Sequence, residues 1–114
     1  MLPGVGRIPQ VPEVDVTEAQ RRIAAGNTTI LDVREIEEFD HARIADAINI
    51  PLGEVTARAA ELPGEGELLV YCQTGIRSAF GVDMLGKAGV NNATNIAGGI
   101  VAWSEAGLPI LLNE

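Results

Sequence analysis

Five short runs of apolar and β-branched residues are spread along the chain. They occupy residues 14–16, 28–33, 47–50, 68–71 and 95–97. The fourth run reads Leu-Leu-Val-Tyr and is apolar at every position, which is typical of a strand buried on both faces of a parallel sheet. The pattern therefore predicts five strands, with residues 68–71 near the centre of the sheet.

Segments with helical spacing separate these runs. They cover residues 18–25, 35–41, 54–61, 79–88 and 100–106, the last with Trp103 turned inward. Thr17 and Gln20 form a capping-box pattern before the first segment, and Gly26 ends it. Residues spaced to share one face of a helix are Val55, Ala59 and Leu62 in the third segment and Phe80, Met84 and Ala88 in the fourth.

Alternation of strands with helices predicts an α/β fold with three layers, helices covering both faces of a five-stranded parallel sheet. A chain of 114 residues is long enough for one domain with a real core. Residues 1–12 contain three prolines and two glycines, so we expect an extended N-terminal arm. The single domain then covers residues 13–114.

Composition narrows the possible functions. The formal net charge of −8 argues against nucleic-acid binding, and no apolar run approaches the roughly 18 residues that span a membrane. The single cysteine excludes an internal disulfide, a Cys-x-x-Cys redox pair and a cysteine-rich zinc site. No signal-peptide pattern is visible at the N-terminus. We therefore expect a cytoplasmic protein with no membrane or nucleic-acid partner.

The single cysteine stands at the most informative position of the chain. Cys72 directly follows the central run and precedes the helix predicted over 79–88, across a short polar loop. Parallel sheets bind their ligands at the edge formed by the carboxyl ends of the strands, where Cys72 lies. The free N–H groups and the positive dipole of a helix N-terminus favour a thiolate there. Gly75 can turn the loop back around the sulfur, Arg77 suits an oxyanion, and Ser78 can donate a hydrogen bond. A buried core cysteine is the plainer interpretation, but the loop favours a reactive one.

Four motifs together resemble the rhodanese-like sulfurtransferase family. The resemblance covers roughly residues 14–110 and is strong because the motifs occur in the order the family uses. The motifs are Cys72-x-x-Gly75-x-Arg77-Ser78, Leu31-Asp32-Val33-Arg34-Glu35 with Glu38-Phe39, Ala47-Ile48-Asn49-Ile50-Pro51, and Asn95-Ile96-Ala97-Gly98-Gly99-Ile100-Val101-Ala102-Trp103 followed by Gly107-Leu108-Pro109. The resemblance implies the rhodanese fold, with residues 98–99 shaping one wall of the site.

One segment departs from the family pattern. Where the family reads Gly-His-Ile-Pro-Gly-Ala, this chain keeps Ile44 and Ala47 but has other residues at four positions. His41 is the only histidine, but it does not fall on the family's histidine position, so we expect a surface residue rather than a catalytic base. The departing residues are Ala42, Arg43, Ala45 and Asp46.

Sulfur transfer is the chemistry that these residues favour. Cys72 is the expected nucleophile, taking sulfur from a donor such as thiosulfate as a persulfide and passing it to a thiol or cyanide. We expect no metal and no cofactor. Asp32 and Arg34 lie at the same sheet edge, and we favour a structural role for them over one that lines the site. The residues expected to bind substrate are Gln73, Thr74, Gly75, Ile76, Arg77 and Ser78.

Two other classes of function compete with this one. A cysteine phosphatase loop places five residues between Cys and Arg, whereas four separate Cys72 from Arg77, so this smaller cradle suits one sulfur better than a phosphate. A non-catalytic binding module would have no need of the cysteine. A persulfide carrier that serves a protein partner, with poor activity on small donors, stays open because Arg77 is the only cation of the loop.

Overall fold

The structure is a computed structural model and describes residues 7–113. Within that range, a five-stranded sheet carries the fold, and all of its strand pairs are parallel. The strands are β1 (Glu13–Val14), β2 (Thr28–Asp32), β3 (Ala42–Arg43), β4 (Ile48–Asn49), β5 (Glu67–Tyr71), β6 (Ala93–Ile96) and β7 (Leu111–Leu112), and the α-helices are α1 (Val16–Ala25), α2 (Ile36–His41), α3 (Ile76–Lys87) and α4 (Gly99–Glu105).

Strand β5 lies in the middle of the sheet, as the uninterrupted apolar run predicts. The strand order is β1-β6-β5-β2-β4, and Leu31 and Val70 are paired in the register of β2 with β5. Two separate clusters of buried side chains cover the two faces of this sheet. The predicted three-layer α/β fold with a five-stranded parallel sheet is confirmed.

The side chains of β5 alternate between those two clusters. Leu68 and Val70 point into the one that contains Leu85 of α3, whereas Leu69 and Tyr71 point into the one that contains Trp103 of α4. Since successive side chains of a strand face opposite sides, both faces of β5 must be apolar. Trp103 is buried as expected, and its indole N–H donates to the Pro109 carbonyl at 2.9 Å.

Several local predictions need correction. Helix α1 begins at Val16 and is capped by Asp15, whose carboxylate accepts from the Glu18 N–H at 2.8 Å, so the Thr17 capping box is wrong. Residues 54–61 form no α-helix. Two short 3₁₀ turns, Leu52–Glu54 and Ala59–Glu61, take that place and still bury Val55 and Leu62. The cluster needs only those two side chains, which separate turns supply as well as a continuous helix.

The buried face of α3 also differs from the predicted set. Phe80 is 37 % exposed, and the helix packs instead through Ala79, Val82 and Leu85. A Cβ at Gly81 would make ordinary contacts, 3.4 Å from a methyl of Leu52 and 3.6 Å from one of Val33, so the packing of this face does not depend on glycine there. Helical spacing alone did not distinguish these two faces, since both contain apolar residues.

A second, two-stranded sheet was not expected from the sequence. Strand β7 pairs antiparallel with β3, which brings the C-terminal segment against the residues that follow α2. In the same region Asp46 occupies the position where the family has glycine and takes a φ of 67°, a left-handed conformation that Asp tolerates better than most residues. The departures from the family pattern therefore still allow the turn that leads into β4.

Residues 7–12, the described part of the predicted arm, contain no helix or strand. Val11 packs against one core cluster, and the Pro12 carbonyl accepts from the Asn95 N–H at 2.8 Å. The prediction for the first six residues lies outside the described range. The boundary between the arm and the domain at residue 12 stays a prediction, although residues 11 and 12, the last two of the arm, contact the folded domain.

Candidate active site

Cys72 lies between the end of β5 and the first turn of α3, where the sequence predicts it. Its side chain is 1 % exposed, and three donors converge on Sγ. The N–H of Gly75 lies 3.2 Å away, and the N–H and Oγ of Ser78 each lie 3.3 Å away. Such a set of donors at a helix N-terminus stabilises negative charge on sulfur.

The turn that aims these donors depends on Gly75. This residue caps α3 with a φ of 96°, a conformation that only glycine adopts without strain, and a Cβ there would lie 2.9 Å from the Gly98 nitrogen. The side-chain amide of Asn95, fully buried on β6, donates to the Gly75 carbonyl at 3.1 Å and to a Glu13 carboxylate oxygen at 2.9 Å. Strands β1 and β6 thus help to hold the loop.

The N-terminus of α4 closes the loop from the other side. The Ile100 N–H donates to the Cys72 carbonyl at 3.0 Å, and the Val101 N–H donates to the Gln73 carbonyl at 3.1 Å. Gly99 makes this approach possible, because a Cβ there would lie only 2.4 Å from the Cys72 oxygen. The wall expected from residues 98–99 is therefore in direct contact with the backbone of the loop.

Gln73 and Thr74, the two residues after the cysteine, are exposed. The side-chain oxygen of Gln73 accepts from Nη1 of Arg34 at 3.2 Å and faces a pocket of about 470 Å³. Thr74 and Ile76 face a second pocket of about 540 Å³, next to the N-terminal segment that contains Val11. The loop thus borders two open spaces, one on each side.

Arg77 does not stand free. Its two terminal nitrogens contact the two carboxylate oxygens of Glu38 on α2 at 2.8 and 2.9 Å. The hydrogen bonds from Arg77 are the main reason why the pKa of Glu38 falls to about 2, and hydrogen bonding to Glu38 raises the pKa of Arg77. The expected oxyanion-binding cation already has a carboxylate partner. Nothing in the spacing of the chain points to this pair.

Asp32 and Arg34 form a buried ion pair behind the loop. Asp32 accepts from Nε and Nη2 of Arg34 and from its backbone N–H, and both side chains are almost completely buried. Arg34 also donates to the Ala42 carbonyl, and its guanidinium lies 5.7 Å from the ring centre of Tyr71. These contacts link the segment after β2 to β3 and β5, and a structural role for Asp32 and Arg34 stays a prediction.

Tyr71 completes this cluster from the last position of β5. Its hydroxyl oxygen accepts from the Ile44 N–H at 3.1 Å, and the ring is fully buried. Burial first, and the nearby Asp32 carboxylate second, raise the pKa of Tyr71 above its usual value. The phenol therefore stays neutral and acts as a structural group next to the cysteine.

His41 lies at the end of α2, is exposed, and borders the pocket that Gln73 faces. Its backbone carbonyl accepts from the Asn113 N–H. Among residues 7–113, no group of three or more His, Cys, Asp or Glu side chains is arranged to hold a metal ion. Over the same residues no helix has the length and apolar character that crossing a membrane requires.

Comparisons with known proteins give a consistent picture. A family model described as "Rhodanese-like domain" matches residues 15–106. A protein of Allochromatium vinosum named sulfurtransferase is 32 % identical over 91 % of this chain and 98 % of its own. A putative sulfur carrier protein of Bacillus subtilis is 35 % identical over 82 % of this chain, which spans about half (51 %) of that relative.

Solved structures agree with the sequence matches. The crystal structure of a rhodanese-related protein from Thermoplasma volcanium has a TM-score of 0.82 and 33 % identity, over 91 % of this chain and 100 % of that one. A thiosulfate sulfurtransferase from Pseudomonas aeruginosa has a TM-score of 0.82 and 28 % identity, over 91 % of this chain and 21 % of that one. These matches confirm the resemblance carried by the four motifs, and the chain belongs to the rhodanese-like domain family.

Proposed function

We propose that this protein is a sulfurtransferase that carries sulfane sulfur as a persulfide on Cys72. The observation that carries the proposal is the set of three donors around Sγ, two backbone N–H groups and the Ser78 hydroxyl. They can stabilise the attacking thiolate and, after transfer, the charge on the outer sulfur of a persulfide. Relatives named as a sulfurtransferase and a putative sulfur carrier support the same chemistry.

The reaction has two balanced steps. The Cys72 thiolate attacks the outer sulfur of a donor such as thiosulfate, the new S–S bond forms, and sulfite leaves with the electrons of the old bond. A thiol or cyanide then attacks the outer sulfur of the persulfide and regenerates the thiolate. The first product leaves before the acceptor reacts, so ping-pong kinetics are expected. With one cysteine in the chain, the acceptor must come from outside it.

The other loop residues have supporting roles in this proposal. Gly75 and Ser78 supply the hydrogen-bond donors to Sγ. The exposed Gln73, Thr74 and Ile76 contact the incoming sulfur donor or sulfur acceptor. Arg77 binds the oxyanion end of the donor while it shares its charge with Glu38. We place the protein in the cytoplasm, where a reducing environment would keep its thiol free. A protein that carries a persulfide is a further partner in this proposal.

The test is an intact-mass measurement on the purified, reduced protein after incubation with thiosulfate. A Cys72→Ser variant is the control. We expect a gain of one sulfur atom that requires Cys72 and is discharged by cyanide as thiocyanate. If a folded, reduced protein gains no sulfur, thiosulfate is not its donor. A protein persulfide should then be offered, and failure with both would favour a non-catalytic module.

A further inference from the structure

The positive charge of the loop around Cys72 is compensated by a carboxylate before any substrate binds. Arg77 is the only charged residue of the loop 72–78, and its two terminal nitrogens are both bound by Glu38. Arg34, the cation behind the loop, is held by the buried Asp32. A dianion that approaches the Cys72 sulfur therefore meets an arginine whose charge is already compensated.

Glu38 is held firmly in this position. Its Oε1 also accepts from the Glu35 N–H at 3.0 Å, the capping box at the start of α2. With a pKa of about 2 it stays ionised at neutral pH. It borders the same pocket of about 470 Å³ that Gln73 faces. The carboxylate is thus a fixed negative charge in the wall of a pocket that borders the loop at Gln73, a pocket that Glu105 also lines.

We propose that Glu38 sets the charge selectivity of the site, so that monoanionic sulfane-sulfur donors, organic persulfides and thiosulfonates, are used in preference to dianionic thiosulfate. This inference rests on the proposed function. Glu38 acts through Arg77 and by direct repulsion, so it is a positioning residue rather than a catalytic one. Repulsion scales with donor charge, so one fixed carboxylate penalises a dianion about twice as strongly, in free energy, as a monoanion.

The chemistry is the same for both donor classes. The Cys72 thiolate attacks the outer sulfur, and the old S–S bond breaks with its electron pair on the leaving group. Thiosulfate releases sulfite, a thiosulfonate releases a sulfinate, and an organic persulfide releases a thiolate. No oxidant or reductant enters, and the Cys72 persulfide is the common product. Only the charge carried into the site differs.

The test compares thiosulfate with methanethiosulfonate, in which a methyl group replaces one charged oxygen. Cyanide is the acceptor, and KM and kcat are measured for the wild type and for Glu38→Gln, which keeps an acceptor for the Glu35 N–H. We expect Glu38→Gln to lower the KM for thiosulfate about tenfold and that for methanethiosulfonate about threefold, because doubling the charge of the donor doubles its Coulomb energy. The kcat values should change little.

Glu37→Gln is the matched control. It removes the same unit of charge from the neighbouring position of α2, where the exposed side chain makes no hydrogen bond among the described residues. It should leave the ratio of the two KM values unchanged. When Arg77→Gln is already present, adding Glu38→Gln should change the ratio of the two KM values less than Glu38→Gln does in the wild type, because Glu38 acts partly through Arg77. Thermal unfolding of each variant establishes that it is folded.

The outcomes separate the two proposals. Equal KM changes for both donors, no change, or the same change in Glu37→Gln would overturn the selectivity of Glu38 and leave the proposed function intact. Absence of any Cys72 persulfide in the wild type with either small donor would overturn this inference, and absence with a protein persulfide as well would overturn the proposed function. If the ratio of the thiosulfate KM to the methanethiosulfonate KM falls only in Glu38→Gln, the result supports both the proposed function and the selectivity of Glu38.

Discussion

Gly99 lets the N-terminus of α4 contact the loop that contains Cys72, and Gly99→Ala tests that contact. The residue has a φ of 59°, so a Cβ costs about 1 kcal/mol in backbone strain. That Cβ would also lie 2.4 Å from the Cys72 oxygen and 2.6 Å from the Gln73 oxygen, where ordinary contacts begin near 3.4 Å. Relief requires a shift of about 1 Å between two backbone segments.

Such a shift would break two hydrogen bonds, from the Ile100 N–H to the Cys72 carbonyl and from the Val101 N–H to the Gln73 carbonyl. Each contributes about 1 kcal/mol. The expected loss in the free energy of unfolding is therefore about 3 kcal/mol, or roughly 12 °C in Tm for a domain of this size. Persulfide formation should slow by about a hundredfold, because a displacement of this size misaligns the donors around the sulfur.

Gly107→Ala is the matched control. Gly107 also has a left-handed φ, 77°, but a Cβ there would have nothing within 4 Å. It should lose only about 1 kcal/mol and keep its rate of persulfide formation. Urea unfolding gives the stabilities, and single-turnover mass spectrometry at 15 °C gives the rates. Equal stability losses in the two variants, or an unchanged rate in Gly99→Ala, would refute the proposed contact between α4 and the loop.

Three further predictions follow from the site. Ser78→Ala removes one of the three donors to Sγ but keeps the backbone N–H, so the rate of persulfide formation should fall about tenfold with little loss of stability, and an unchanged rate would exclude the hydroxyl from the cradle. Arg34→Ala leaves the charge of the buried Asp32 uncompensated, so urea unfolding should show that the free energy of unfolding falls by about 3 kcal/mol. Arg22→Ala, in a partly exposed pair, should lower it by less than about 1 kcal/mol, and similar losses in the two variants would contradict the structural role of the buried pair. The pKa of Glu38 is lowered from 4.5 to about 2, so its ion pair with Arg77 stabilises the fold above pH 4.5 and is lost as the pH falls toward 2. After allowance for solvent exposure, the free energy of unfolding of the wild type should exceed that of Glu38→Gln by about 1 kcal/mol at pH 7. That difference should vanish near pH 2 in chemical unfolding, and a difference that persists there would contradict this assignment.

The sequence by itself determined the five parallel strands, the central position of residues 68–71 and the place of Cys72 between a strand and a helix. These features follow from short-range patterns. Side chains on a strand alternate every residue, helices repeat every 3.6 residues, and Gly75 marks the turn between the two. The loop geometry around the sulfur is equally local, because its donors lie three and six residues from Cys72.

Local patterns failed where several local solutions were equally good. Asp15 and Thr17 are both suitable N-caps, and the structure uses Asp15. Residues 54–61 were compatible with a helix, but only Val55 and Leu62 had to reach the core, so two 3₁₀ turns suffice. In such cases packing against the sheet decides, and single-residue preferences do not.

Only the tertiary structure decided which charges and backbone segments surround the Cys72 loop. Glu38 meets Arg77 across 39 residues of sequence, Asn95 reaches the Gly75 carbonyl across 20, and Gly99 brings α4 against Cys72. No spacing rule links residues so far apart, because their separation in space depends on strand order and on the angle at which each helix packs. The sequence therefore predicted the position of Cys72 and its loop, whereas the folded sheet decided that the loop's only cation is already paired.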